Sequence, residues 1–173
     1  NVTLALSSSN TAEGIVSPMS LTFTPSNWST EQQVTITGVD DFVADGNKVF
    51  SVVTAPAVSA DGKYNNLNPT DVSVTNNDND VVGITVNPIS GLFTTEAGGQ
   101  AKFSIRLSSQ PTANVVITVT TSNSLEGVPS PTTLTFTPAN WNVLQEVTVT
   151  GQNDDVDDDD VAYTHDNHRH VDA

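Results

Sequence analysis

Set against Asn114, Asn1 brings two stretches of this chain into register without a gap for about fifty residues. Leu21-Thr22-Phe23-Thr24-Pro25 recurs as Leu134-Thr135-Phe136-Thr137-Pro138, and Asn27-Trp28 as Asn140-Trp141. Glu13-Gly14 recurs as Glu126-Gly127, and Val34-Thr35-Ile36-Thr37-Gly38 as Val147-Thr148-Val149-Thr150-Gly151. Asp41, Val43 and Asp45 find Asp154, Val156 and Asp158. Such agreement is duplication, not chance.

The repeat locates its own boundaries. Asn76-Asn77-Asp78-Asn79-Asp80 has no apolar residue and reads as a junction, giving module one over residues 1–80 and module two over 81–173. Module two opens with two strand-like stretches, Val81 to Pro88 and Gln100 to Leu107, before the shared part starts at Asn114. Module one lacks these two. It continues instead through Lys48 to Thr54 and Asp71 to Thr75, last strands that module two is expected to lack. Two truncated copies then sum to about one and a half repeats.

The strands are legible from their period. Phe103, Ile105 and Leu107 alternate with Lys102, Ser104 and Arg106, and Val147 and Val149 with Thr148 and Thr150. A period of two places one face in a core and the other in solvent. Val and Thr, both β-branched, are abundant, and Pro, Gly and Asn clusters recur at roughly the 8–12-residue spacing of sandwich and barrel folds. The expected class is all-β, as tandem antiparallel β-sandwiches, both incomplete.

Composition then removes functions. The chain carries 20 acidic against 5 basic side chains, a net charge of −15, so it has little with which to neutralise phosphates, and nucleic acid is not an expected partner. There is no cysteine, hence no disulfide, thiolate metal site or Cys nucleophile. No apolar run approaches the ~18 residues of a membrane helix. No Ser lies in a Gly-x-Ser-x-Gly setting, no Gly-rich phosphate loop occurs, and His165, His168 and His170 all fall in the last nine residues. An enzyme is not expected. The histidine spacing loosely permits metal binding, with a polar tail as the plainer reading.

Several separated motifs resemble those of Calx-β-type and related immunoglobulin-like repeats. They are Thr95-Glu96-Ala97-Gly98-Gly99 before Ala101-Lys102-Phe103, Gly38-Val39-Asp40-Asp41 followed by Asp45-Gly46, and the closing Val72-Ser73-Val74-Thr75-Asn76-Asn77-Asp78. The segment from Leu21 to Trp28 is similar to versions found in long bacterial surface and secreted proteins. The resemblance implies a seven-stranded sandwich in tandem copies, calcium at one end of each, and an extracellular adhesive or structural role: spacer, adhesin stalk or filament subunit. A different class of function stays open, a carbohydrate- or ligand-binding accessory module of a secreted enzyme. The partners expected are neighbouring repeats or copies of the same chain that complete the missing strands, with glycan as a further possibility and no membrane insertion.

Antiparallel topology sharpens the calcium expectation, because every second connection lies at the same end of a sandwich. Glu96 precedes the second strand, and Glu13 or Glu126 follows the third. Asp40, Asp41 and Asp45, or Asp154, Asp155, Asp157 and Asp158, follow the fifth, and Asp78 and Asp80 leave the last. Oxygen ligands without His or Cys suit Ca²⁺ before Mg²⁺. A solvated acidic cap is the plainer alternative. In module one the same end includes the junction, so calcium would also stiffen the joint.

Trp28 and Trp141, each after a Pro-x-Asn turn, are expected to pack at the core edge rather than serve as a sugar platform. Asn1-Val2-Thr3 and Asn27-Trp28-Ser29 fit the glycosylation acceptor pattern. The end of the chain is anomalous: His165 falls where Val52 sits, yet His165-Asp166-Asn167-His168-Arg169-His170 offers no alternating apolar face. A shifted reading frame in the gene is one account of it.

Overall fold

The structure, a computed structural model, describes residues 1–153 and 161–171, with residues 165–171 as backbone only. The described residues are all-β, in antiparallel sheets. They divide into two compact units, Asn1–Asp41 with Asp45–Asn79, and Phe42–Ala44 with Asp80–Ala173.

Unit one holds β1 (Val2–Ser8), β2 (Gly14–Ser17), β3 (Ser20–Phe23), β4 (Thr35–Gly38), β5 (Lys48–Thr54), β6 (Val58–Ser59) and β7 (Val72–Asn76). One sheet runs β3-β1-β5-β7, with β6 also on β1; the other is β2-β4 alone. Unit two holds β8 (Ile84–Asn87), β9 (Gln100–Leu107), β10 (Val115–Thr121), β11 (Gly127–Ser130), β12 (Thr133–Phe136), β13 (Gln145–Gly151) and β14 (His165–Val171). Its sheets run β12-β10-β14 and β11-β13-β9-β8.

The duplication read in the sequence extends to hydrogen-bond register. Val2 faces Phe23 as Val115 faces Phe136, Gly14 faces Gly38 as Gly127 faces Gly151, and Leu6 faces Thr54 as Val119 faces Asn167. Side-chain turn chemistry repeats too. Asn27 Oδ1 accepts from Thr24 N (2.6 Å) and Oγ1 (3.0 Å), and Asn140 Oδ1 from Thr137 N (2.6 Å) and Oγ1 (3.1 Å). Gln32 and Gln145 each donate through Nε2 to the carbonyl of the equivalent threonine, Thr22 or Thr135, at 3.0 and 2.9 Å. The Asn two residues past proline therefore reaches back with its side chain to the threonine three residues before it and closes that turn, which is why the motif recurs as a block.

In unit two the alternation works as a sandwich requires. Phe103, Ile105 and Leu107 of β9 bury against Val115, Ile117 and Val119 of β10, Leu134 and Phe136 of β12, and Val147 and Val149 of β13. Lys102 and Arg106 face out. Unit one buries Leu6, Phe50, Val52 and Ala57, but much of its inner face is only half covered.

Two expectations need correction. The tryptophans are not twins in packing: Trp141 packs against the core, whereas Trp28 is 73% exposed. The Trp141 carbonyl accepts from Leu107 N at the end of β9 (2.9 Å), and unit one has no strand in that place. The second concerns the histidine-rich end. Residues 165–171 form β14 in the repeat's own register, joined by Ser122 N to Thr164 O (2.8 Å) as Ser9 N joins Ser51 O (2.9 Å). Pairing uses backbone N–H and C=O groups, which any residue but proline supplies in full, so an apolar alternation is not a condition of the ladder. The strand of unit one without a described counterpart in unit two is β7.

These burial differences set a mutational asymmetry. Phe136→Ala removes a ring with no exposed surface and is expected to cost unit two about 3–5 kcal/mol. Phe23→Ala, at the half-buried equivalent, should cost less than half of that. Urea unfolding followed through the tryptophan of the same unit measures both; equal losses would contradict the burial reading.

Candidate functional site

The loops at one end of unit one are tied together by groups from three separate segments. Glu13 stands just before β2, and its carbonyl accepts from Val39 N beyond β4 (3.0 Å). Asn76, the last residue of β7, donates through Nδ2 to Val39 O (2.7 Å) and to Glu13 Oε2 (3.2 Å). Asp78 Oδ2 accepts from Gly46 N (2.6 Å), while Asp78 N donates to Asn47 Oδ1 (2.9 Å). Asp45 pairs with Lys48 at 3.2 Å, each side chain about 40% exposed, a solvent-screened contact of small energetic weight.

Unit two builds the corresponding end with its own variation. Gln152 N donates to Glu126 O (3.0 Å), matching Val39 and Glu13. Glu96 lies exposed in the turn closed by the Thr95–Gly99 bridge, and Gly151 N donates to Gly99 O (3.0 Å), which draws that turn onto the end of β13. Aromatic rings seal the glycines that open β2 and β11. A Cβ on Gly14 would overlap the Phe50 ring, and one on Gly127 the Tyr163 ring. The Tyr163 hydroxyl then meets Thr94 Oγ1 at 2.7 Å, a bond to the very turn that unit one does not have, where phenylalanine suffices.

The structure thus gathers Glu13 and Asp78 at one end of unit one and Glu126 and Glu96 on the loops of one end of unit two. Asp40 and Asp41 are exposed on the connection after β4; Asp80 opens unit two at the junction. Asp154, Asp155, Asp157 and Asp158 lie outside the described residues, as do the side chains of His165, His168 and His170. Among the described residues no three His, Asp or Glu side chains form a group able to hold a metal ion. The donor chemistry is oxygen alone, the kind hard cations prefer. In unit one, however, the Glu13 and Asp78 carboxylates are already directed at N–H donors.

Two features escaped sequence reasoning. Asn76 looks like one of several junction asparagines, yet it joins three segments; β7 has no described counterpart, so no repetition singled it out. Phe42 belongs to unit two: its ring lies 5.7 Å from that of Trp141 at 43°, and its carbonyl accepts from Gln110 N at 2.6 Å. The equivalent position in the second copy is Asp155, so duplication gave no signal there either.

Neither a family model nor a curated protein matches the chain.

Asn76→Ala removes the amide that ties the ends of β4 and β7 to Glu13. The expected loss is about 1–2 kcal/mol of unit one stability, with unit two unchanged, read by urea unfolding. A loss confined to unit two would show the assignment of this bond to be wrong.

Proposed function

We propose that this protein is a non-catalytic extracellular repeat, a spacer, adhesin stalk or filament subunit that works through the mechanics of tandem β-sandwiches. One observation supports this above the others: two units in tandem repeat strand order, register and turn chemistry. Duplication of a whole fold is how chains gain length, and each added copy needs no new chemistry. The surroundings suit the outside of a cell: Thr-rich strand faces, no oxidisable thiol, and a net charge of −15 that resists aggregation.

Calcium belongs to this proposal. Acidic loops drawn to one end of a unit repel one another, and a divalent ion relieves that repulsion. In unit one the residues offered are Glu13, Asp40, Asp41, Asp45 and Asp78. Thermal melting with millimolar calcium against excess chelator tests it, since an ion that binds only the folded state raises the midpoint by mass action. An unchanged midpoint with no bound ion leaves the loops as a solvated cap.

A specific observation speaks for the second reading, an accessory carbohydrate-binding module: the exposed indole of Trp28. Its twin is covered in unit two, which favours a packing origin. Particle size by negative stain, with and without chelator, separates the two. Rods or fibres support the structural proposal; compact monomers that bind glycan support the module.

A further inference from the structure

Equivalent inner-face positions are sealed in one unit and open in the other. Val115, Ile117, Leu134, Phe136, Val147 and Val149 are each at most 3% exposed. Their counterparts Val2, Leu4, Leu21, Phe23, Val34 and Ile36 are only half-buried. What covers this face in unit two is visible. There β9 pairs with β13 from Gln145 to Thr150 and lays Ala101, Phe103, Ile105 and Leu107 into the core. In unit one β4 pairs with β2 alone. Residues 145–147 are the part of β13 that pairs only with β9, and their counterparts 32–34 lie outside any strand. The missing partner thus leaves two independent marks, uncovered apolar surface and a shortened edge strand.

We propose that the free edge of β4 with the half-open inner face of unit one is an acceptor for one extended segment of β9 chemistry, donated by another copy of this repeat. An unpaired edge beside an apolar face binds strands by backbone ladder and selects them by alternate side chains. The register is set by unit two, where Phe103 faces Val147, Ala101 faces Val149 and Ile105 faces Gln145. In the acceptor a phenylalanine therefore stands opposite Val34, an alanine opposite Ile36 and an isoleucine opposite Gln32. The far end of the donated strand meets the Trp28 carbonyl, as Leu107 N meets that of Trp141, and completes beside the indole the kind of apolar cluster against which Trp141 packs. One contact does not transfer. Lys102 pairs with Glu146 at 2.6 Å in unit two, whereas unit one has Gln33 at that position, so selection rests on the apolar alternation. The inference depends on the duplicated fold and is independent of calcium or location.

The test uses the full chain and a peptide of residues 100–109. With Trp141→Phe, Trp28 is the sole tryptophan, and adding peptide should shift its emission to shorter wavelength, saturably. Anisotropy of labelled peptide on the unaltered chain should give the same midpoint. A scrambled peptide of identical composition, which keeps the positive charge, should bind at least about tenfold more weakly, as should a peptide carrying Phe103→Ser and Ile105→Ser. Ile36→Asp in the chain should weaken binding by a similar factor. Because that variant could unfold, the altered peptides decide alone if its circular dichroism spectrum is lost. Absence of binding at millimolar peptide, equal binding of the scramble, or binding without a Trp28 response would overturn the proposal.

Discussion

A pleated sheet with apolar residues on alternate positions is stable only when a second surface covers that face, and in this fold the cover is β9. Its Phe103, Ile105 and Leu107 share one buried cluster with side chains of β10, β12 and β13, and Ala101 is buried beside them in sequence. The strand order of the shared part, its turn chemistry and the backbone bond to the Glu13 or Glu126 carbonyl are common to both units. The covering strand is not. Burial follows the cover rather than the sequence of the strand being covered: Leu21-Thr22-Phe23 and Leu134-Thr135-Phe136 are identical, yet the Leu and Phe of one are half open and those of the other sealed.

Turns and loop ends are held by local polar chemistry that survives without the cover. The turns closed by the Asn27 and Asn140 side chains agree to within a tenth of an ångström in each bond, and Asn10 and Asn123 both form Asx turns, accepting through Oδ1 at 3.1 Å from the amide two residues on. Short-range hydrogen bonds of this kind depend on neighbours in sequence and not on the long-range packing that β9 supplies. That separation explains how unit one keeps the register of a sandwich whose second sheet is reduced to β2 and β4.

The sequence was informative where duplication and alternation coincide. Strands around Phe103, Val115 and Val147 follow from period two, and the equivalence of Glu13 with Glu126 locates matching loop ends. It was silent where a residue acts once. Asn76 and Phe42 have no matching twin, and Trp28 looks like Trp141 until the absence of a neighbour to its carbonyl is seen in three dimensions. The strand at His165 was illegible for another reason: a backbone ladder leaves no trace in side-chain pattern. In unit one the loops of Glu13 and Asp78 were legible as neighbours, both bonded through Asn76 or the loop before β5, but the hydrogen bonds that engage the two carboxylates were not.

β9 decides how tightly the repeat's inner face is closed, and amide hydrogen exchange of the full chain measures that closure strand by strand. Equivalent amides of β1 and β10, identical in register, should differ, with those of β10 protected to the level of global unfolding and those of β1 exchanging through smaller openings. Residues 32–34 should exchange like loop, against slow exchange at the paired amides among 145–147. Equal protection of the two strands would show that closure of the inner face does not depend on β9.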